Sequence, residues 1–178
     1  MLCDLDRALL IGTAQTERRR VVSQFRFDSS VSIGGQLSRK DIDRLAMNGF
    51  RSILNLSQEG EPGQLLSPNV EASWAHANAM EHSRVSVSFD HPQSRSVDRF
   101  LEKLDELPRP VYVHSETGRR AAAFLTIVLA LDRRIPGDQA LAAAESMGLD
   151  CNHEPLKRFV RAEVERRLQE VPRTVTVR

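Results

Sequence analysis

Along the chain, short apolar runs that alternate or continue without a break are separated by longer stretches in which apolar residues recur at helical spacing. Phe25 and Phe27 stand among polar neighbours, and the pattern runs on through Val31 and Ile33, predicting a first strand. Gly34-Gly35-Gln36 then makes a turn and Ser38 is an N-cap. Ile42, Leu45 and Ala46 fall on one helical face until Asn48-Gly49 ends the helix. Residues 50–56 read as a buried strand, and 57–69, rich in Gly, Pro, Glu and Ser, as a surface loop. A short helix over 70–80 carries Trp74, Ala75 and Ala77. Val85, Val87 and Phe89 alternate with Ser86, Ser88 and Asp90, predicting another strand. Val97, Phe100, Leu101 and Leu104 mark an amphipathic helix over 96–107, which Pro108-Arg109-Pro110 terminates. The β-branched run at 111–113, the apolar segment 121–131 and helices over 136–147 and 155–168 complete the series. Strands alternating with helices predict a three-layer α/β domain around a mainly parallel sheet of about four to five strands. That domain spans 25–170, with 1–24 as an extension and 171–178 as a polar tail.

Composition narrows the functional classes. The chain is 40% apolar and 28% charged with a net charge of +1, ordinary for a soluble domain and no basis for a nucleic-acid or membrane partner. No stretch of about 18 apolar residues could span a bilayer. The segment 121–131 is too short and ends in Asp132-Arg133-Arg134, so a buried helix is expected there. Cys3 and Cys151 make no disulfide framework, and the N-terminus lacks the pattern of a signal peptide. Both suit a reducing, cytoplasmic setting. The histidines are scattered, so neither a metal nor a cofactor is predicted. The basic run Glu17-Arg18-Arg19-Arg20 is expected to be solvated surface.

The candidate chemistry lies in Val111-Tyr112-Val113-His114-Ser115-Glu116-Thr117-Gly118-Arg119-Arg120-Ala121, a buried strand, a tight polar loop with one glycine, then a buried helix. Such a loop turns the backbone N–H groups of Glu116, Thr117, Gly118, Arg119 and Arg120 toward the positive end of a helix, where an anion can sit. Arg120 adds a planar fork of donors suited to a tetrahedral oxyanion such as phosphate or sulfate, free or carried on a phosphorylated protein or small molecule.

His114-Ser115-x-x-Gly118-x-Arg120 resembles the H-C-x-x-G-x-R loop of cysteine-dependent phosphatases and rhodanese-like sulfurtransferases, with serine in place of the nucleophilic cysteine. The four residues between Ser115 and Arg120 are one fewer than tyrosine and dual-specificity phosphatases have. They match rhodaneses and the beta-lactamase hydrolase-like phosphatases. Upstream, Ile33-Gly34-Gly35-Gln36-Leu37-Ser38 through Ile53-Leu54-Asn55-Leu56 is similar to the opening β-α-β of that phosphatase-like group. Together the two motifs identify the chain as a member across about residues 25–165. The resemblance implies a cysteine-phosphatase-like fold. It also implies that the loop after Phe89 faces the anion loop, with Asp90 at the position of the general acid. A turn aspartate capping Pro92 is the alternative for Asp90, and His91 is expected to be exposed. Asn55 and Glu59 follow a parallel strand, and Asn55 either ties down its turn or contacts ligand.

Serine changes the chemistry. A cysteine thiol, with a free pKa of roughly 8.5, is ionised at neutral pH once a helix N-terminus and an arginine lower it. A serine hydroxyl starts far higher and needs an adjacent base. His114 is expected to point to the opposite face and to serve as a buried orienting residue. Glu116 is expected to point outward and oppose a strongly anionic surface, with Arg119 available to compensate. Two origins for Ser115 are open: a natural pseudophosphatase, or a serine engineered from the catalytic cysteine of an active phosphatase. The alternatives to an oxyanion-binding phosphatase-like domain are a rhodanese-type sulfurtransferase and a non-catalytic interaction module using the same pocket or Trp74.

Overall fold

A computed structural model describes residues 25–170; the expectations for 1–24 and 171–178 lie outside them. Five strands, β1 (Phe25–Arg26), β2 (Val31–Gly34), β3 (Ser52–Asn55), β4 (Glu81–Arg84) and β5 (Val111–His114), form one sheet in the order β1-β2-β5-β3-β4. All neighbours from β2 to β4 are parallel, and only β1 pairs antiparallel. The six helices are α1 (Arg39–Met47), α2 (Pro68–Ala77), α3 (Ser94–Glu106), α4 (Arg119–Arg133), α5 (Gly137–Ser146) and α6 (Glu154–Glu170).

Two apolar cores explain the three layers. Leu37, Ile42, Leu45, Ile53, Ala75, Met80 and Tyr112 pack α1 and α2 on one face of the sheet. Leu54, Val111, Val113, Phe100, Phe124 and Val160 belong to the larger core under α3, α4 and α6. Adjacent residues of β3 and of β5 thus serve opposite faces, which is why both strands read as unbroken apolar runs.

Two strand expectations are corrected. The first strand is a hairpin, because the Asp28 carboxylate accepts the N–H groups of Ser30 (2.6 Å) and Val31 (2.8 Å) and reverses the chain. The strand expected over 85–89 lies upstream, at Glu81–Arg84, in register with Ser52–Asn55. It is a polar edge strand, and its sequence therefore lacks an apolar signal. Val85 and Val87 are still buried, and their N–H groups donate to Asn55 (2.9 Å) and Leu56 (3.2 Å) carbonyls beyond the ladder.

The carboxyl ends of β2, β3 and β5 lie side by side, with Gly34 and Asn55 both paired to His114. The loops that follow them converge on that rim, the usual place for a site in a parallel sheet. Helix α4 begins there and runs through the core, buried continuously from Arg120 to Ile127.

Candidate functional site

The loop from Ser115 to Gly118 is shaped by close backbone contact. Gly118 is left-handed, with φ 87°, and a Cβ on it would lie 3.1 Å from the Gly34 carbonyl oxygen. A Cβ on Gly35 would come within 3.3 Å of the Glu116 carbonyl, which accepts the Gln36 N–H at 3.2 Å. Gly34 at the end of β2 and Gly35 just after it let the loop lie against that strand end. Among the described residues, nothing accepts a hydrogen bond from the N–H groups of Glu116, Thr117, Gly118, Arg119 or Arg120. The Ser115 hydroxyl is buried and has no hydrogen-bond partner among the described residues, so no base is in contact with it.

Arg120 is only 1% exposed, and its guanidinium makes three hydrogen bonds to two residues. Its Nη1 donates to Glu61 Oε1 and to the Val87 carbonyl (2.8 Å), and its Nη2 donates to Glu61 Oε2 (2.6 Å). These bonds use the Nη1 hydrogens and one on Nη2. A guanidinium has five N–H groups, so Nε–H and the second Nη2–H stay without an acceptor among the described residues, and they form a complete bidentate edge. Phe89 lies beside the guanidinium, its ring centroid 6.0 Å away. Burial alone would raise the Glu61 carboxyl, but the Arg120 hydrogen bond and charge, with the Gln58 N–H, hold it below the usual range.

Behind the loop, His114 points away from Ser115 and is buried against α2. Its Nε2 lies 2.9 Å from Glu71 Oε1, an oxygen that also meets His82 Nε2 (2.8 Å) and Asn55 Nδ2 (3.1 Å). Asn55 Oδ1 accepts the Ser57 N–H at 2.7 Å, so Asn55 does tie down its turn. Burial pushes the Glu71 carboxyl up, and His114 and then His82 more than reverse it, to about 2. This hydrogen-bonded cluster fixes the strand end that carries Ser115.

Arg119 Nε donates to Asp150 Oδ2 at 3.1 Å and is not available to offset Glu116, which is exposed. Glu59 pairs with Arg84 at 3.4 Å. The Asp90 side chain is 66% exposed and lies 3.3 Å from His153 Nε2, while Phe89 stacks on that imidazole. Cys151 is buried 3.5 Å from Thr126 Oγ1 on α4, and burial pushes its thiol up, so it offers no substitute nucleophile. The Trp74 indole N–H donates to Asp43 at 2.8 Å and joins α2 to α1. A cavity of about 580 Å³ lies between α5 and α6, with Asp150, the partner of Arg119, in its lining.

Sequence reasoning missed Glu61 and Glu71. Glu61 had a local signal, an acid between two left-handed glycines in Gly60-Glu61-Pro62-Gly63 after a parallel strand. Glu71 had none, because an acid in a first helical turn is ordinary dipole compensation.

The family described as DSP-PTPase phosphatase fused to NAD+ kinase matches residues 14–155. A beta-lactamase hydrolase-like protein of Agrobacterium fabrum is 31% identical over 126 residues, which is 70% of this chain but 29% of that protein. The chain thus spans under a third of the curated relatives it matches. Among solved structures, a candidate phosphatase from Neisseria meningitidis superposes with a TM-score of 0.66 at 17% identity, covering 78% of this chain and 96% of that one. The core catalytic domain of the PP-IP phosphatase SIW14 of S. cerevisiae gives 0.59 at 14% identity, covering 80% and 90%. Likeness at this level of identity shows the fold, and the sulfurtransferase alternative is not favoured.

Proposed function

Because the chain belongs to this DSP-PTPase phosphatase family, we propose that it binds a phosphate monoester or related oxyanion in the Ser115–Arg120 loop without the family's thiolate chemistry. The observation that carries this reading is the open Nε/Nη2 edge of Arg120, together with five N–H groups of the same loop that no described acceptor engages. A tetrahedral anion takes several donors at once, and each charge-assisted bond contributes about 1.5–3 kcal/mol. The pairing with Glu61 supports the reading because it fixes the guanidinium plane and leaves the other edge clear. Ser115 occupies the nucleophile position with no base at its hydroxyl, so binding outlasts any reaction. Asp90, on the exposed loop after Phe89, takes the general-acid position in this reading, and its protonation matters only once a thiolate is restored. The S. cerevisiae domain was itself solved in complex with citrate, an anionic ligand.

The test is calorimetric titration of the protein with orthophosphate and sulfate. Both should bind, and Arg120→Lys, which keeps a cation beside Glu61 but lacks the fork, should lose about tenfold or more in affinity. Equal affinity in that variant would take Arg120 out of the site.

A further inference from the structure

The charges around the loop are arranged against a highly anionic ligand. Each loop arginine already has a carboxylate of its own: Glu61 on Arg120, and Asp150 on Arg119 at 3.1 Å. Asp150 is fixed in turn by the Asn152 N–H at 2.8 Å, and Lys157 acts on that same aspartate. Asp90 lies 3.3 Å from His153 and shares a groove with Arg158. Glu116 is exposed on the loop itself, its backbone is held by the Gln36 N–H, and no ion pair with another described residue offsets its charge.

Resting on the oxyanion reading above, we infer that this site selects a lone phosphoryl group on a neutral or cationic carrier and rejects polyphosphorylated ligands, with Glu116 setting that preference. The attraction comes from backbone N–H dipoles and one guanidinium edge, which are short-ranged and saturated by a single tetrahedral group. A second or third phosphoryl group finds no free cation on the loop and meets the Glu116 carboxylate instead. Discrimination by such a repulsive element is a common route to specificity. A carrier bearing an ammonium group meets Glu116 favourably.

The experiment compares orthophosphate, O-phosphoethanolamine and tripolyphosphate by calorimetry near neutral pH and low ionic strength, on the protein with Ser115 and on Glu116→Lys. In the unmodified protein orthophosphate and phosphoethanolamine should bind, with tripolyphosphate no tighter than either. Glu116→Lys should strengthen tripolyphosphate by about tenfold and orthophosphate by about threefold or less, a difference that added salt erodes. Because Glu116 is exposed, the variant should fold, and its thermal unfolding checks that. Tripolyphosphate binding the unmodified protein more tightly than orthophosphate overturns the charge inference alone, as does a Glu116→Lys variant that leaves both affinities unchanged. No orthophosphate binding to the unmodified protein overturns the oxyanion site itself.

Discussion

Replacing Glu71 with glutamine tests whether the cluster behind the loop is held by charge. One oxygen, Glu71 Oε1, receives Asn55, His82 and His114 at 3.1, 2.8 and 2.9 Å, and the side chain is buried. Glutamine keeps the size and one acceptor oxygen, removes the charge and turns the second oxygen, which has no partner among the described residues, into an amide NH2. Burial by itself would raise the carboxyl, yet the two imidazoles bring it from 4.5 to about 2. At 1.36 kcal/mol per unit, that depression corresponds to about 3 kcal/mol of stability. The group is depressed on folding, so its contribution is fully present above the unfolded value, near 4.5, and is lost as pH falls through about 2. Urea unfolding followed by circular dichroism over a pH series should therefore show wild type exceeding Glu71→Gln by about 3 kcal/mol at neutral pH, with the gap closing toward the acid limit. Since His114 adjoins Ser115, orthophosphate affinity should fall in the same variant. Two stability curves that run parallel from neutral pH to the acid limit would refute the argument.

The remaining predictions concern the loop and the helix packing. Gly118→Ala puts a Cβ 3.1 Å from the Gly34 oxygen at φ 87°, and should cost about 1–3 kcal/mol in urea unfolding and abolish sulfate binding by calorimetry. Glu61→Ala leaves a buried guanidinium with the Val87 carbonyl alone, and should lower stability by about 3 kcal/mol and weaken sulfate binding; tighter binding would mean that the carboxylate competes with the anion. Ser115→Cys should create hydrolysis of an aryl phosphate, measured by release of the phenol, because the remaining loop parts are in place. Gly137→Ala sets a Cβ 2.7 Å from Arg161 Cα and should lower the melting temperature without changing anion affinity.

The fold was legible wherever burial writes a periodic pattern. Strands β3 and β5 read as buried because helices cover both faces, Leu54, Val111 and Val113 meeting one layer and Ile53 and Tyr112 the other, and Ile42 and Leu45 read as helix because one face meets the sheet. Legibility failed where polar groups decide the path. The reversal at Asp28-Ser29-Ser30 is made by a carboxylate accepting two N–H groups, and an apolar count cannot register that. Strand β4 has a free edge and a polar sequence, so its position follows from its bonds to β3, while the apolar signal sits one step downstream at Val85 and Val87.

For the site the division is between what one loop contains and what other loops bring to it. Gly118 and Arg120 were readable because the requirement for a left-handed residue and a buried donor lies within one local motif. The state of Arg120 was not, since it depends on Glu61, which is 59 positions away and reaches it through the loop after β3. A buried guanidinium needs a partner, and the expectation from sequence was a bound oxyanion alone, with no carboxylate foreseen. Glu59 was the acid read as close to the site, but it pairs with Arg84, and Glu61 two residues on makes the pair with Arg120. That pairing also decides the sense of the ion pair. A carboxylate on the Nε edge would compete with an anion, whereas one spanning Nη1 and Nη2 anchors the plane and directs Nε–H outward. The site is therefore pre-set by a residue that its own loop does not contain, and loss of Glu61 should be felt as lost orientation of Arg120 before it is felt as gained positive charge.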